Sequence, residues 1–86
     1  MKTFKDLIFK EHGGMFGGIQ SNIKFDNGYE IFVAKTKFTY GGSLGLYEIE
    51  VIKEDTILSN PPIMGNIIGH LSESEVTDIM LDLQKL

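Results

Sequence analysis

The stretch Ile19-Gln20-Ser21-Asn22-Ile23-Lys24-Phe25-Asp26-Asn27-Gly28-Tyr29-Glu30-Ile31-Phe32-Val33-Ala34 decides the fold. Up to Asp26, Ile19, Ile23 and Phe25 fall on one side of an extended chain and Gln20, Asn22, Lys24 and Asp26 on the other, the pattern of a half-buried strand. Asn27-Gly28 follows at once. Between two β-like runs this dipeptide is a strong hairpin signal, because both central residues of a type I′ turn need positive φ. Counting outward from a two-residue turn pairs Asp26 with Tyr29, Phe25 with Glu30, Lys24 with Ile31, Ile23 with Phe32, Asn22 with Val33 and Ser21 with Ala34. Directly opposed residues share a face. The expected core side is therefore Ile19, Ser21, Ile23, Phe25, Phe32 and Ala34, and the second face gathers Tyr29, Ile31 and Val33.

Downstream, Leu46 to Lys53 alternates more clearly than any other segment, with Tyr47, Ile49 and Val51 against Glu48 and Glu50. Thr56-Ile57-Leu58 reads as a short fourth strand that ends before Pro61-Pro62, since neither proline can donate to a ladder. Ser72-Glu73-Ser74-Glu75 is a capping box, and Val76, Ile79, Met80, Leu83 and Leu86 form one helical stripe behind it. Met64, Ile67, Ile68 and Leu71 are expected to form a turn or brief helix beside that stripe. Upstream, Thr3 and Asp6 can cap a helical turn from Phe4 to Phe9. The fold class is α+β: a three- to four-stranded antiparallel meander, a C-terminal amphipathic helix on one face, and a short N-terminal helical turn.

The chain of 86 residues suits one domain, 1–86. Cysteine is absent, which excludes disulfides, thiolate metal sites and cysteine nucleophiles. A core of this size buries only roughly 60 to 65% of the unfolded chain's surface, so apolar packing must hold it, with a second subunit as one source. All 8 basic residues are lysine, and the formal net charge is -4. Without arginine, and with this sign, nucleic acid is disfavoured as a partner. Residues 1 to 47 carry six lysines and four carboxylates, net +2; residues 48 to 86 carry two lysines and eight carboxylates, net -6. An acidic end is expected, as a solvated face or as a docking surface for a basic partner. No apolar run suggests a signal peptide or a membrane span, so the expected setting is cytoplasmic.

No catalytic, cofactor or metal signature stands out. His12 and His70 are far apart in sequence, and a metal site needs three or four ligands. The glycines from Gly13 to Gly18 precede a strand rather than a helix, the reverse of a phosphate-binding order. Glu48 and Glu50 share a strand face but bring no nucleophile with them, and read as a solvated pair. Two function classes remain. In the first, the protein binds another protein or itself: Tyr29, Ile31 and Val33 form an apolar face that one helix cannot cover, and a homodimer is the simplest cover. In the second, a small molecule or nucleotide sits between the glycine-rich loops, on Gly14, Phe16, Gly17, Tyr40, Gly41 and Gly42.

Five segments taken together are Phe16-Gly17-Gly18-Ile19-Gln20, Phe25-Asp26-Asn27-Gly28-Tyr29, Tyr40-Gly41-Gly42, Gly45-Leu46-Tyr47-Glu48 and Gly69-His70-Leu71-Ser72-Glu73-Ser74-Glu75-Val76. In this order they resemble a group of small uncharacterised proteins encoded by tailed bacteriophages and prophages, with departures at Pro61-Pro62 and His70. The resemblance implies the cytoplasm of an infected bacterium and a non-enzymatic accessory protein that binds, and in some cases inhibits, a host or defence protein. It supplies no catalytic residue.

Overall fold

The computed structural model describes residues 1–11, 17–53 and 67–86, together with the backbone of Thr56–Ile57. Among these residues six strands, β1 (Lys10–Glu11), β2 (Ile19–Lys24), β3 (Tyr29–Lys35), β4 (Tyr47–Lys53), β5 (Thr56–Ile57) and β6 (Ile67–Leu71), form one antiparallel sheet, and the helix α1 (Glu73–Gln84) follows. The sheet is five positions wide in the order β1-β2-β3-β4-β5, because β5 and β6 share the far edge of β4. It is α+β with a C-terminal helix, and wider than the expected three or four strands.

The hairpin closes differently from the expected two-residue turn. Phe25 N–H donates to the Tyr29 carbonyl at 2.7 Å, and Gly28 N–H donates to the Phe25 carbonyl at 3.0 Å. Gly28 alone in the turn has positive φ, 91°, so Asp26-Asn27 make a type I turn and Gly28 the left-handed residue of the bulge that completes a three-residue loop. Lys24 therefore faces Glu30, Ile23 faces Ile31, and Ser21 faces Val33. A slip of one residue turns every side chain of β3 to the opposite face. Ile31 and Val33 are fully buried, opposite Val51 and Ile49 of β4, while Phe32 and Ala34 lie on the outer face. The expectation that Tyr29, Ile31 and Val33 form an uncovered interface is thereby overturned: they belong to the core side.

That side is covered twice over. Val76, Met80 and Leu83 of α1 are buried against it with Leu71, as the stripe anticipated. The N-terminal segment lies beside the helix rather than on the opposite face. Phe4 N–H donates to Thr77 Oγ1 at 3.0 Å, and Lys2 N–H donates to Gln84 Oε1 at 2.8 Å. Phe4 and Phe9 pack on Tyr47 with ring centroids 5.1 and 5.7 Å away. The helical turn itself is shorter than expected, a 3-10 turn at Phe4–Asp6.

Ile67, Ile68 and Leu71 form an edge strand, not the expected turn or helix; Met64 lies outside the described residues. Leu71 faces Tyr47 and Ile68 faces Ile49, and the register shifts between these two pairs. Gly69-His70 holds the extra residue. His70 takes φ 58° there, and its N–H turns away from β4 to the Tyr40 carbonyl at 2.9 Å.

At the start of α1, Ser72 Oγ accepts from Glu75 N–H at 3.2 Å and Glu75 Oε1 accepts from Ser72 N–H at 2.9 Å. These bonds, the backbone N–H first, hold the Glu75 carboxyl below its ordinary range. The Thr3 N–H does the same for Asp6.

The register, the cap and the two lowered carboxyls can each be tested. Ile31→Lys places a charge in the core and should cost about 3 kcal/mol or more, whereas Phe32→Lys, on the outer face, should cost about 1 kcal/mol. Urea melts of the two variants read the register directly, since a two-residue turn reverses the order. Ser72→Ala should cost about 1 kcal/mol at neutral pH. Because the folded Glu75 and Asp6 carboxyls are held low, their stabilisation is complete above the ordinary carboxylate values and is lost as pH falls through the lowered ones. Thermal melts from pH 6 downward should show a shallower acid slope in Glu75→Gln than in the parent.

Candidate interaction surface

Between β3 and β4 the chain makes a loop, Thr36 to Leu46, in which nearly every turn is tied to itself. Thr36 is buried; its N–H donates to Thr39 Oγ1 at 3.0 Å, Thr39 Oγ1 donates back to the Thr36 carbonyl at 3.0 Å, and Thr36 Oγ1 accepts from Phe38 N–H at 3.1 Å. A second 3-10 turn at Gly42–Leu44 lies between Gly41 at φ 90° and Gly45 at φ 79°. Tyr40 N–H reaches Glu48 Oε1 at 3.1 Å, and the Tyr40 carbonyl takes the His70 N–H. The loop is thus anchored to β4 on one side and to the β6 bulge on the other.

The glycines permit this packing. A Cβ on Gly41 would stand 2.7 Å from His70 Cα, one on Gly18 would stand 2.8 Å from Thr36 Cα, and those on Gly42 and Gly69 would collide with Thr36 and Tyr40. Gly18 and Gly42 therefore converge, on the backbone of Lys35 and Thr36, while Gly41 packs against His70; close chain approach accounts for these three, and Gly17 stands in open space at φ 64°. Gly14 and Phe16, like His12, lie outside the described residues.

On this anchored frame stand three large apolar side chains with high exposure: Phe38 at 65%, Tyr40 at 62% and Leu44 at 72%. Lys37 Nζ sits 5.5 Å from the Phe38 ring centroid. Tyr40 was a sequence candidate; Phe38 and Leu44 were not. Their signal was faint, bulky residues in a glycine-rich connection with no alternation to assign them a face.

The other sequence candidates are dispersed. Tyr29 is half-buried under the Lys53 ammonium, 4.3 Å above its ring. Glu48 and Glu50 lie on the outer face of β4, opposite Ala34 and Phe32, and Glu48 is already an acceptor for the loop. His70 is exposed. Among the described residues, no group of three or more His, Asp or Glu is placed to hold a metal ion, and no helix is long and apolar enough to cross a membrane. The acidic half of the chain does not make one end: Glu73, Glu75, Asp78 and Asp82 belong to α1, on one side of the sheet, and Glu48 and Glu50 to the other.

Clefts of about 370 Å³ (Met1, Phe25, Asp26, Asn27, Gln84) and about 330 Å³ (Ile8, Lys10, Gln20, Ser21, Asn22) open elsewhere on the molecule. Comparison with protein-family models, with curated proteins and with solved structures finds no match.

Replacing glycines separates backbone conformation from close approach. Gly45 has open space around it, so Gly45→Ala should cost only the left-handed conformation, about 1 kcal/mol. Gly41→Ala should cost clearly more in the same urea melt, because the added methyl meets the His70 backbone.

Proposed function

We propose that this protein acts by binding another protein, as a non-enzymatic accessory factor, and that the Thr36 to Leu46 loop is its contact surface. The observation that carries the reading is the combination of rigidity and exposure in that loop. Holding Phe38, Tyr40 and Leu44 in water on a frame fixed by hydrogen bonds offers apolar area to a partner at little further cost in chain entropy. Aromatic side chains are over-represented at the centres of such contacts. The resemblance to proteins of tailed phages supports a bacterial partner in an infected cell, with inhibition of a host or defence protein as the consequence of binding.

Affinity capture from lysate of phage-infected bacteria tests this. The parent protein should retain a defined partner that the Tyr40→Ser/Leu44→Ser double variant, with an unchanged melt, loses by tenfold or more. Equal retention by both would remove the loop from the contact.

A further inference from the structure

The outer edge of β2 is open for half its length. Phe25 and Tyr29 exchange the bond that closes the hairpin, so in the ladder from that point the backbone N–H and C=O of Ile23, Ser21 and Ile19 turn toward β3. Those of Gln20, Asn22 and Lys24 turn the other way. Gln20 meets Lys10 of β1, but β1 is only two residues long. Before it the chain leaves the edge: Leu7 is buried in the core, and Phe9 packs on Phe4 and Tyr47. Among the described residues Asn22 and Lys24 have no main-chain partner on that side. The cleft lined by Ile8, Lys10, Gln20, Ser21 and Asn22 opens beside them, with Ile8 79% exposed.

We infer that this edge pairs with the same edge of a second copy of the chain, β2 against β2, across a two-fold axis at Ile23. Two open residues, each offering a donor and an acceptor in the plane of the sheet, are matched by an extended backbone. Side-chain charge then selects the register. An axis at Lys24 sets Lys24 opposite its own copy, and like charges directly opposed are destabilising. An axis at Asn22 sets Lys24 opposite Gln20, whose edge is already taken by Lys10. The axis at Ile23 avoids the first, and the residue it sets toward Gln20 is Asp26, in the turn beyond the end of β2, rather than a residue of the strand. Asn22 faces the partner's Lys24 in a hydrogen-bonded pair, twice, giving four main-chain bonds. Ile23, half-buried in one copy, meets the partner's Ile23 at the close non-hydrogen-bonded pair.

The same register brings the partner's Asp26 to the place along the edge where β1 begins, against Lys10. Both are exposed and of opposite charge. Two segments then share one edge of β2, as β5 and β6 share one edge of β4. The outer-face row becomes Glu30, Lys24 and the partner's Asn22, with charges alternating rather than clashing.

Sedimentation equilibrium over a wide concentration range tests the pairing. The parent should be a reversible dimer. Asn22→Pro removes an N–H that faces outward and leaves the β3 ladder intact, so it should be monomeric with an unchanged far-UV spectrum. Asp26→Lys or Lys10→Asp alone should weaken the dimer by about tenfold, and the double exchange Lys10→Asp/Asp26→Lys should restore it. If Asn22→Pro does not fold, the charge exchange decides alone. A parent that stays monomeric at every concentration, or a dimer that neither charge reversal weakens, overturns the inference. A dimer lost in Tyr40→Ser/Leu44→Ser but kept in the edge variants also overturns it, and assigns self-association to the loop.

Discussion

The three-residue turn at Asp26-Asn27-Gly28 is the constraint on which the rest of the structure depends, and Asn27 holds it from three directions. Its side-chain carbonyl accepts the Tyr29 N–H at 3.2 Å, its amide donates to the Leu83 carbonyl at 2.8 Å near the end of α1, and its own carbonyl accepts from Lys53 Nζ at 2.9 Å. One residue thereby fixes the turn type, ties the hairpin to the helix and ties it to β4. The same Lys53 ammonium lies over Tyr29. Because the side-chain period of a strand is two, the choice between two and three loop residues is a choice of which face of β3 enters the core. Ile31 and Val33, which pair with Val51 and Ile49 of β4, face Ile23 and Ser21 of β2 only in the longer loop.

The elements themselves were legible. β2, β3 and β4 appear within two residues of where alternation ends them, and the capping box at Ser72 to Glu75 starts α1 at the expected residue. The register was not legible, because Asn-Gly serves two turn types. Gly28 takes positive φ in both; the difference lies in Asn27, which the sequence leaves free. Nor did β3 betray its own orientation. Both of its faces carry apolar residues, Ile31 and Val33 on one and Phe32 and Ala34 on the other, so alternation could not arbitrate. β6 was missed for a related reason. Ile67-Ile68 does not alternate, and Gly69-His70 looks like a chain break, whereas in the sheet it is the bulge that lets Leu71 and Ile68 both pair with β4.

The glycine-rich segments show how a functional pattern and a packing pattern can look alike. Gly17, Gly18, Gly41 and Gly42 invite a ligand because small residues let something approach the backbone closely. For Gly18, Gly41 and Gly42 the approaching group is the chain itself, Lys35 and Thr36 on one side and His70 on the other. That closeness anchors the loop, and the anchored loop is what keeps Tyr40 and Leu44 in water. The candidate contact surface thus rests on residues that contribute no side chain to it. Sequence reasoning located the glycines but could not locate what they press against, since Thr36 and His70 lie six or more positions from Gly42 and Gly41.

Charge placement follows from the same geometry. Lysine and carboxylate counts suggest an acidic end, yet the sheet divides the carboxylates between two surfaces that face away from each other. On α1, Glu73 and Glu75 lie in the first turn, where the helix dipole favours them. On the outer face, Glu30, Glu48 and Glu50 stand among half-buried Phe32, Ala34 and Ile52, and Glu30 is held by the Asn22 amide at 2.9 Å. Glu48 likewise accepts the Tyr40 N–H, so two of the three carboxylates on this face are tied to neighbours. The three keep a mixed sheet face wet without a second helix to cover it. The lysines nearest this face are at its β2 rim, where Lys24 lies directly opposite Glu30. The polarity of the sheet therefore runs across its strands, from the lysines at the β1 and β2 edge to the carboxylates of β4.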